Sequence, residues 1–271
     1  MGRSVTSILA AVVLVLAACG NDEDGAATGA TQPGDAGGVG GEAADWCENM
    51  ILLTEVGGRG PHVDFETASP EEIQAAVAAF GEEFMPIIET SERTAPAEIA
   101  DDVAVMANAS RTAIAQGSPD ALYEPEPMEA ESRVISWAVE NCGYQVISIT
   151  GVDYAYELDT TEVDGGVTIL EFSNEGEELH EMIVFRKTDG VTESFEEILA
   201  MDEGHPALDE EMVEFVTAAY GPPGYRTAAF VDLEPGEYAV ACFIPVGSTL
   251  ESEGAGPRHL VEGMLSTFTV R

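Results

Sequence analysis

The spacing of apolar residues changes period along this chain near Tyr144. Upstream, apolar positions recur every three or four residues, as on an amphipathic helix; downstream they alternate, as on a half-buried strand. Four helices are predicted in the upstream part. The first carries Trp46, Cys47, Met50 and Leu53 behind Asp45 as its cap. Ser69-Pro70-Glu71-Glu72 is a capping box with proline at the first helical position, and it leads a second helix with Ile73, Ala76, Val77, Phe80 and Phe84 on one side. Pro86 should kink or end that helix. A third, from about Ala97 to Gln116, turns Ile99, Val103, Met106 and Ile114 inward and stops at Gly117-Ser118-Pro119. A fourth, from about Met128 to Asn141, carries Val134, Ile135 and Ala138.

Beyond Tyr144, strands are predicted near residues 145–150, 153–159, 166–173, 179–187, 225–233, 237–244 and 264–270. Several short strands separated by turn signals indicate a sandwich or barrel. The exception is Ser194 to Tyr220, where Phe195, Ile198 and Leu199, then Met212, Val213, Phe215 and Val216, read as a helical insertion. The expected fold class is therefore α + β in two domains: a helical bundle over residues 45–143, then a β domain over 144–271.

Charge narrows the partners. Fifty-one acidic residues stand against ten basic ones, a formal net charge of -41, and Lys187 is the single lysine. Such a field repels nucleic acid and anionic lipid head groups, so neither is an expected partner. A solvated acidic surface from a salty or exported setting explains the excess without a dedicated cation-binding face.

The N-terminus explains how such a chain could be exported. Arg3, the apolar run Ile8 to Leu16, and Leu16-Ala17-Ala18-Cys19 have the layout of a secretory signal, residues 1–18, ending in small residues. The run is too short to span a bilayer as a mature helix. Leu16-Ala17-Ala18-Cys19 resembles the lipobox of bacterial lipoproteins, which implies that Cys19 becomes the lipid-bearing first residue; a plain signal peptide cut near Cys19 is the alternative. The expected location is extracytoplasmic, on the cell membrane through that anchor. Residues 19–44, rich in Gly, Ala and Asp, lack the apolar side chains for a core and form a flexible tether.

Export favours disulfides. Cys47 and Cys142 lie at the two ends of the helical region with no His or second Cys at metal-ligand spacing, so a disulfide is expected between them. Cys242 is left unpaired. A buried inert thiol would account for it alone, but its neighbours point elsewhere.

Pro235-Gly236 is a turn, and from Glu237 to Ile244 the chain alternates, with Tyr238, Val240, Cys242 and Ile244 on one face. His259 and, five residues on, Met264 come after a turn-rich segment. Upstream, an Asn174-Glu175-Gly176 turn between two strands puts His180 on the face of Met182 and Val184. Two imidazoles and a thiolate with a weak axial thioether form the pattern of a blue-copper electron-transfer site. His205, in Gly204-His205-Pro206, is the rival to His259 as second imidazole; Met182, Met201 and Met212 are expected to pack rather than ligate.

The order His180, Cys242, His259, Met264, the Asn174-x-Gly176-x-x-x-His180 turn, the Pro235-Gly236-Glu237-Tyr238-Ala239-Val240-Ala241-Cys242 strand and the close of His259 to Gly263-Met264 before a final strand resemble the cupredoxin family, plastocyanin in particular. The resemblance covers about residues 150 to 271. It implies a Greek-key β-sandwich, one copper ion cycling between Cu(I) and Cu(II), no enzymatic activity, and an unidentified redox partner protein. The chain departs from the family pattern in two places. Phe243 to Arg258 intervene between Cys242 and His259, where plastocyanin-like sequences have only a few residues, and Glu181 stands where they carry Asn. Pro245, Gly247, Gly254, Gly256 and Pro257 allow the long segment to fold back and still deliver His259, since closure entropy rises slowly with length. A metal-free module that presents loops to a partner, and a copper capture or delivery protein, are the alternatives. The helical part holds no catalytic set; His62 lies in a loop without partners.

Overall fold

The computed structural model describes residues 41–64, 67–200, 212–250 and 252–271. The signal sequence, Cys19, nearly all of the tether, Met201 and His205 lie outside these residues. Helices make up the N-terminal part and a β-sandwich the C-terminal part.

Helix α1 runs Gly41–Arg59, α2 Pro70–Thr94, α3 Ala100–Gln116 and α4 Pro125–Asn141. Helix α1 starts ahead of the expected Asp45 cap, so Asp45 lies inside it and the last residues assigned to the tether are helical. The capping box on α2 forms as expected: Ser69 Oγ accepts the Glu72 N–H and the Glu72 carboxylate accepts the Ser69 N–H. Pro86 does not end α2. Its cost of a lost backbone bond is offset because the second half of the helix is clamped to α1. Ile87 O accepts a hydrogen bond from Asn49 Nδ2 (3.2 Å), and Ser91 Oγ accepts one from the buried Trp46 Nε1–H (3.1 Å). Gly117, with φ +65°, ends α3 in the left-handed conformation that glycine adopts without strain.

The β part has two sheets. Strands β1 (Gln145–Val152), β2 (Ala155–Leu158), β4 (Gly166–Asn174) and β7 (Arg226–Leu233) form one, in the order β2-β1-β4-β7. Strands β3 (Glu162–Val163), β5 (His180–Lys187), β6 (Val213–Gly221), β8 (Gly236–Ala241) and β9 (Leu265–Val270) form the other, in the order β3-β9-β8-β5-β6. The turn after β4 therefore does not close a hairpin. It carries the chain from one sheet to the other.

Side-chain alternation builds four layers. Along β4, Leu170 and Phe172 enter the core between the sheets, while Ile169 points the other way into the cluster of Trp46, Cys47, Val103, Val134 and Ala138. Phe230 of β7 joins Ile169 there. The first sheet is thus covered by the helices on its outer face. The second sheet is covered by a short helix, α5 (Phe195–Ala200), against Ile183, Phe185, Ala239 and Ala241. Burial on both faces is why β5 reads as the continuous run Met182-Ile183-Val184-Phe185.

The predicted helical insertion is half right. Phe195–Ala200 is helical, but Val213–Gly221 is strand β6, paired antiparallel to β5 from Lys187↔Val213 to His180↔Gly221. A short apolar run does not distinguish helix from strand by period. Here the open edge of β5 takes it up, and its valine, threonine and aromatic content suits a pleated surface. Strand β8 also ends early, at Ala241, so Cys242 lies just beyond the last paired residue.

Cys47 and Cys142 are bonded to each other across a separation of 95 residues and tie α1 to the end of α4; Cys242 is free and buried. Replacing both Cys47 and Cys142 with alanine should lower the unfolding free energy by about 4 to 5 kcal/mol, the chain-entropy value for a loop of that length. Denaturant unfolding of the double variant beside the parent measures this, and an unchanged midpoint would show that the bond constrains nothing.

Candidate metal centre

Four chain segments meet at one end of the sandwich. His180 is the first residue of β5, Cys242 comes directly after β8, His259 lies in the loop beyond it, and Met264 precedes β9. All four side chains are buried. The expected alternation persists past the end of β8, with Tyr238, Val240, Cys242 and Ile244 all in the inter-sheet core and Ala239 and Ala241 on the opposite face.

The sixteen-residue gap before His259 is spanned by a doubled-back segment whose ends are zipped together. Cys242 O accepts the Leu260 N–H (2.7 Å), Ile244 O accepts the His259 N–H (2.9 Å), and the Val246 N–H donates to Pro257 O (2.9 Å). A side chain at Gly254 would place its Cβ 2.2 Å from Val246 O, so only glycine allows the return strand this close. His259 is held opposite Ile244. Met264 is fixed from both sides: its N–H donates to His259 O (3.0 Å), and its carbonyl accepts the Cys242 N–H (3.3 Å).

Ligand atoms of His180, Cys242 and His259 lie within 4.8 Å of one another, the one such group among the described residues. His180 Nδ1 is 3.0 Å from His259 Nδ1, which is 3.3 Å from Cys242 Sγ. Each ring turns its other nitrogen to a carboxylate. His180 Nε2 is 2.8 Å from Asp153 Oδ1, and His259 Nε2 is 3.2 Å from Glu178 Oε2. With each Nε2–H donated outward, each Nδ1 carries a lone pair, and the two lone pairs face one another beside sulfur. Such a convergence of donors fits a cation, and two imidazoles with a thiolate suit copper.

Electrostatics favour the neutral, metal-binding form of the His180 ring and disfavour a bare thiolate. Burial lowers the His180 pKa, against the upward pull of Asp153, which favours the neutral imidazole. Burial pushes the Cys242 thiol well up, and the neighbouring Glu181 carboxylate adds to this. Without a cation, therefore, the sulfur holds its proton. Asp153 and Glu178 are pulled below the usual carboxylate range: burial opposes the shift, but the Glu177 N–H and His180 outweigh it at Asp153, and the Gly247 N–H, Tyr154 hydroxyl and His259 outweigh it at Glu178.

Glu181, one of the two departures from the family pattern, fastens the start of the ligand loop. Its carboxylate accepts the Phe243 N–H (2.6 Å), and its carbonyl accepts the Tyr156 hydroxyl. Sequence reasoning missed Asp153, Tyr154 and Glu178, because one useful carboxylate does not stand out among fifty-one acids. Met182 packs in the inter-sheet core and Met212 beside α5, as expected. His62 stands in the loop after α1.

No protein-family model and no curated protein matches the chain. Among solved structures, a reduced auracyanin from Roseiflexus castenholzii is similar over 47% of this chain and 97% of its own, with 21% identity and a TM-score of 0.31. Auracyanin A, a blue copper protein from Chloroflexus aurantiacus, is similar over 46% and 98%, with 19% identity and a TM-score of 0.27. A copper-containing nitrite reductase from Thermus scotoductus is similar over 47% and 31%, with 12% identity and a TM-score of 0.25.

Burial raises the Glu181 pKa from 4.5 to about 7. The folded chain therefore holds this proton more tightly than the unfolded one. The resulting stabilisation is complete below about pH 4.5 and is lost as pH rises through about 7. At about 1.36 kcal/mol per pKa unit the loss is about 3 kcal/mol. The stability of metal-free Glu181→Gln relative to the parent should accordingly rise by about that amount between pH 4.5 and 8. A pH-independent difference in denaturant unfolding would contradict the buried acid.

Proposed function

We propose that this protein is an extracytoplasmic, membrane-anchored carrier of single electrons that binds one copper ion through His180, Cys242, His259 and Met264. The observation that carries the reading is the convergence of two Nδ1 atoms and one thiol sulfur, all buried. Bound copper would supply the one-electron Cu(I)/Cu(II) couple. His180 and His259 would offer neutral imidazoles, Cys242 the thiolate formed when its proton leaves, and Met264 a weak axial sulfur.

The chain supports that role by rigidity and exclusion of water. His180 sits on a strand paired on both sides, and the backbone zipper fixes Cys242 and His259 relative to each other. Donors held in this way need little rearrangement when the charge of the site changes. The role is that of a carrier rather than an enzyme, with a redox partner protein as the other reactant.

The remaining parts are assigned from the sequence. Residues 1–18 are the signal, Cys19 the lipid-bearing terminus, and the residues up to the first helix a tether. The helical domain, 45–143, mounts the copper-bearing Greek-key domain, 144–271, at the end of that tether. Several acyl chains on Cys19 would hold the protein firmly, where one would bind only marginally. Cys19→Ala should leave the protein unprocessed or release it from the membrane fraction, and unchanged retention would reject the anchor.

The purified soluble part with one equivalent of Cu(II) should turn blue, with the EPR signature of a type 1 site. Cys242→Ser should abolish the colour, and His180→Ala or His259→Ala should weaken or alter it. Met264→Leu should keep it while shifting the potential, and His205→Ala should change little. A folded protein with reduced Cys242 that stays colourless would refute copper binding and favour a metal-free module. Tight Cu(I) binding without reversible redox would favour copper delivery.

A further inference from the structure

We propose that Asp153 and Glu178 are positioning residues that aim the two imidazoles at Cys242, and that Glu178 makes the aim of His259 conditional on closure of the long ligand loop. The proposal deepens the copper reading and rests on it for the choice of metal.

Asp153 comes from the turn between β1 and β2. One of its oxygens is 2.8 Å from His180 Nε2, and both oxygens accept the Glu177 N–H at 3.1 Å. The carboxylate thus binds the His180 ring to the crossing between the sheets. That crossing is itself pinned by Asn174, whose Nδ2 donates to Glu178 O and Gly221 O, both at 2.8 Å, and whose Oδ1 accepts the Gly176 N–H at 2.9 Å. Gly176 is needed where it stands. A Cβ there would lie 2.4 Å from Asp153 Oδ1 and 2.5 Å from His180 Nε2, directly in the contact. The Asn-Glu-Gly turn of the sequence therefore leaves room for the carboxylate to reach the ring.

Glu178 gathers three segments. Its Oε1 accepts the Tyr154 hydroxyl (3.0 Å), and its Oε2 accepts the Gly247 N–H (2.6 Å) and faces His259 Nε2 (3.2 Å). Gly247 directly follows Val246, whose N–H and carbonyl pair with Pro257 and Gly256, so the base of the loop and the ligand ring share one oxygen. The Tyr154 ring also packs against His259, 4.9 Å between centroids. If the loop opens at Gly247, the oxygen that orients His259 loses one of its fixing bonds. Carboxylates on the outer nitrogen of a ligand imidazole set its tautomer and raise its basicity, and their loss costs about 10- to 100-fold in metal affinity.

The test compares Asp153→Ala and Glu178→Ala, with Asp153→Asn and Glu178→Gln as conservative partners, in the protein with and without copper. In the metal-free protein at pH 8, nitrogen NMR should show both imidazoles as the Nε2–H tautomer. Asp153→Ala should disturb only His180, and Glu178→Ala only His259. Trypsin cleavage after the half-buried Arg258, read as a fragment starting at His259, should speed up in Glu178→Ala and stay at the parental rate in Asp153→Ala. Either alanine variant should bind Cu(II) about 10- to 100-fold more weakly, with a smaller loss in the Asn and Gln variants. Unchanged tautomers with affinity within about twofold of the parent would overturn the proposal. So would equal loosening of the loop in both alanine variants, which would signal general destabilisation. If the parent binds no copper yet shows the tautomer pattern and the Glu178-dependent protection of Arg258, the copper reading fails and the positioning role stands.

Discussion

Three metal-ligating atoms brought together in the core are the constraint around which this molecule is built. Two imidazole nitrogens at 3.0 Å, with a sulfur at 3.3 Å from one of them, form a buried group of metal-ligating atoms. Left alone, such a group favours rotation of either ring or protonation of one, and burial adds the cost of polar atoms cut off from water. The fold resists rotation through bonds made by other atoms of the same residues. The His259 backbone is bonded to Ile244 and Met264, its ring to Glu178, and the His180 ring to Asp153.

These contacts in turn depend on layers that do not touch the site. Strand β5 starts at His180 paired to Gly221 of β6, and from Ile183 onward β8 pairs its other side while α5 covers Ile183 and Phe185. The first sheet stays in register beside it because the helices cover Ile169 and Phe230. A polar seam reinforces that cover: Tyr225 and Thr227 donate to Glu131 of α4, and Arg226 bonds both Glu171 and Ser136. Burial raises the Glu131 pKa, yet its two hydroxyl partners satisfy the carboxylate. A buried acid with its bonds made fixes the docking of the helix as well as its stability.

Acidity acts on two scales. The net charge of -41 keeps the surface solvated and repels polyanions at long range. Close to the site, Asp153 and Glu178 act as hydrogen-bond acceptors, and Glu181 as a buried acid near neutrality. Acidic residues thus do three different jobs according to burial and partners. Counting acids along the chain does not separate these jobs.

Much of the scaffold was legible because its signals are local. The Ser69 capping box, the Gly117 stop, the change of period at Tyr144 and the alternation through Cys242 each arise from backbone conformation and side-chain direction within a few residues. The cluster of His180, Cys242 and His259 could be read because thiols and imidazoles are few in a chain with four cysteines and four histidines. Tertiary structure alone decided the rest. Pro86 stays helical because α1 grips Ile87 and Ser91 on its C-terminal side, and Val213–Gly221 becomes a strand because β5 offers an edge. Asp153 reaches His180, and Glu178 reaches His259, across 27 and 81 residues of chain. Periodicity reports on neighbours in sequence, whereas a proline's tolerance, an edge strand's partner and the carboxylate behind a ring depend on which distant surface arrives there when the layers close.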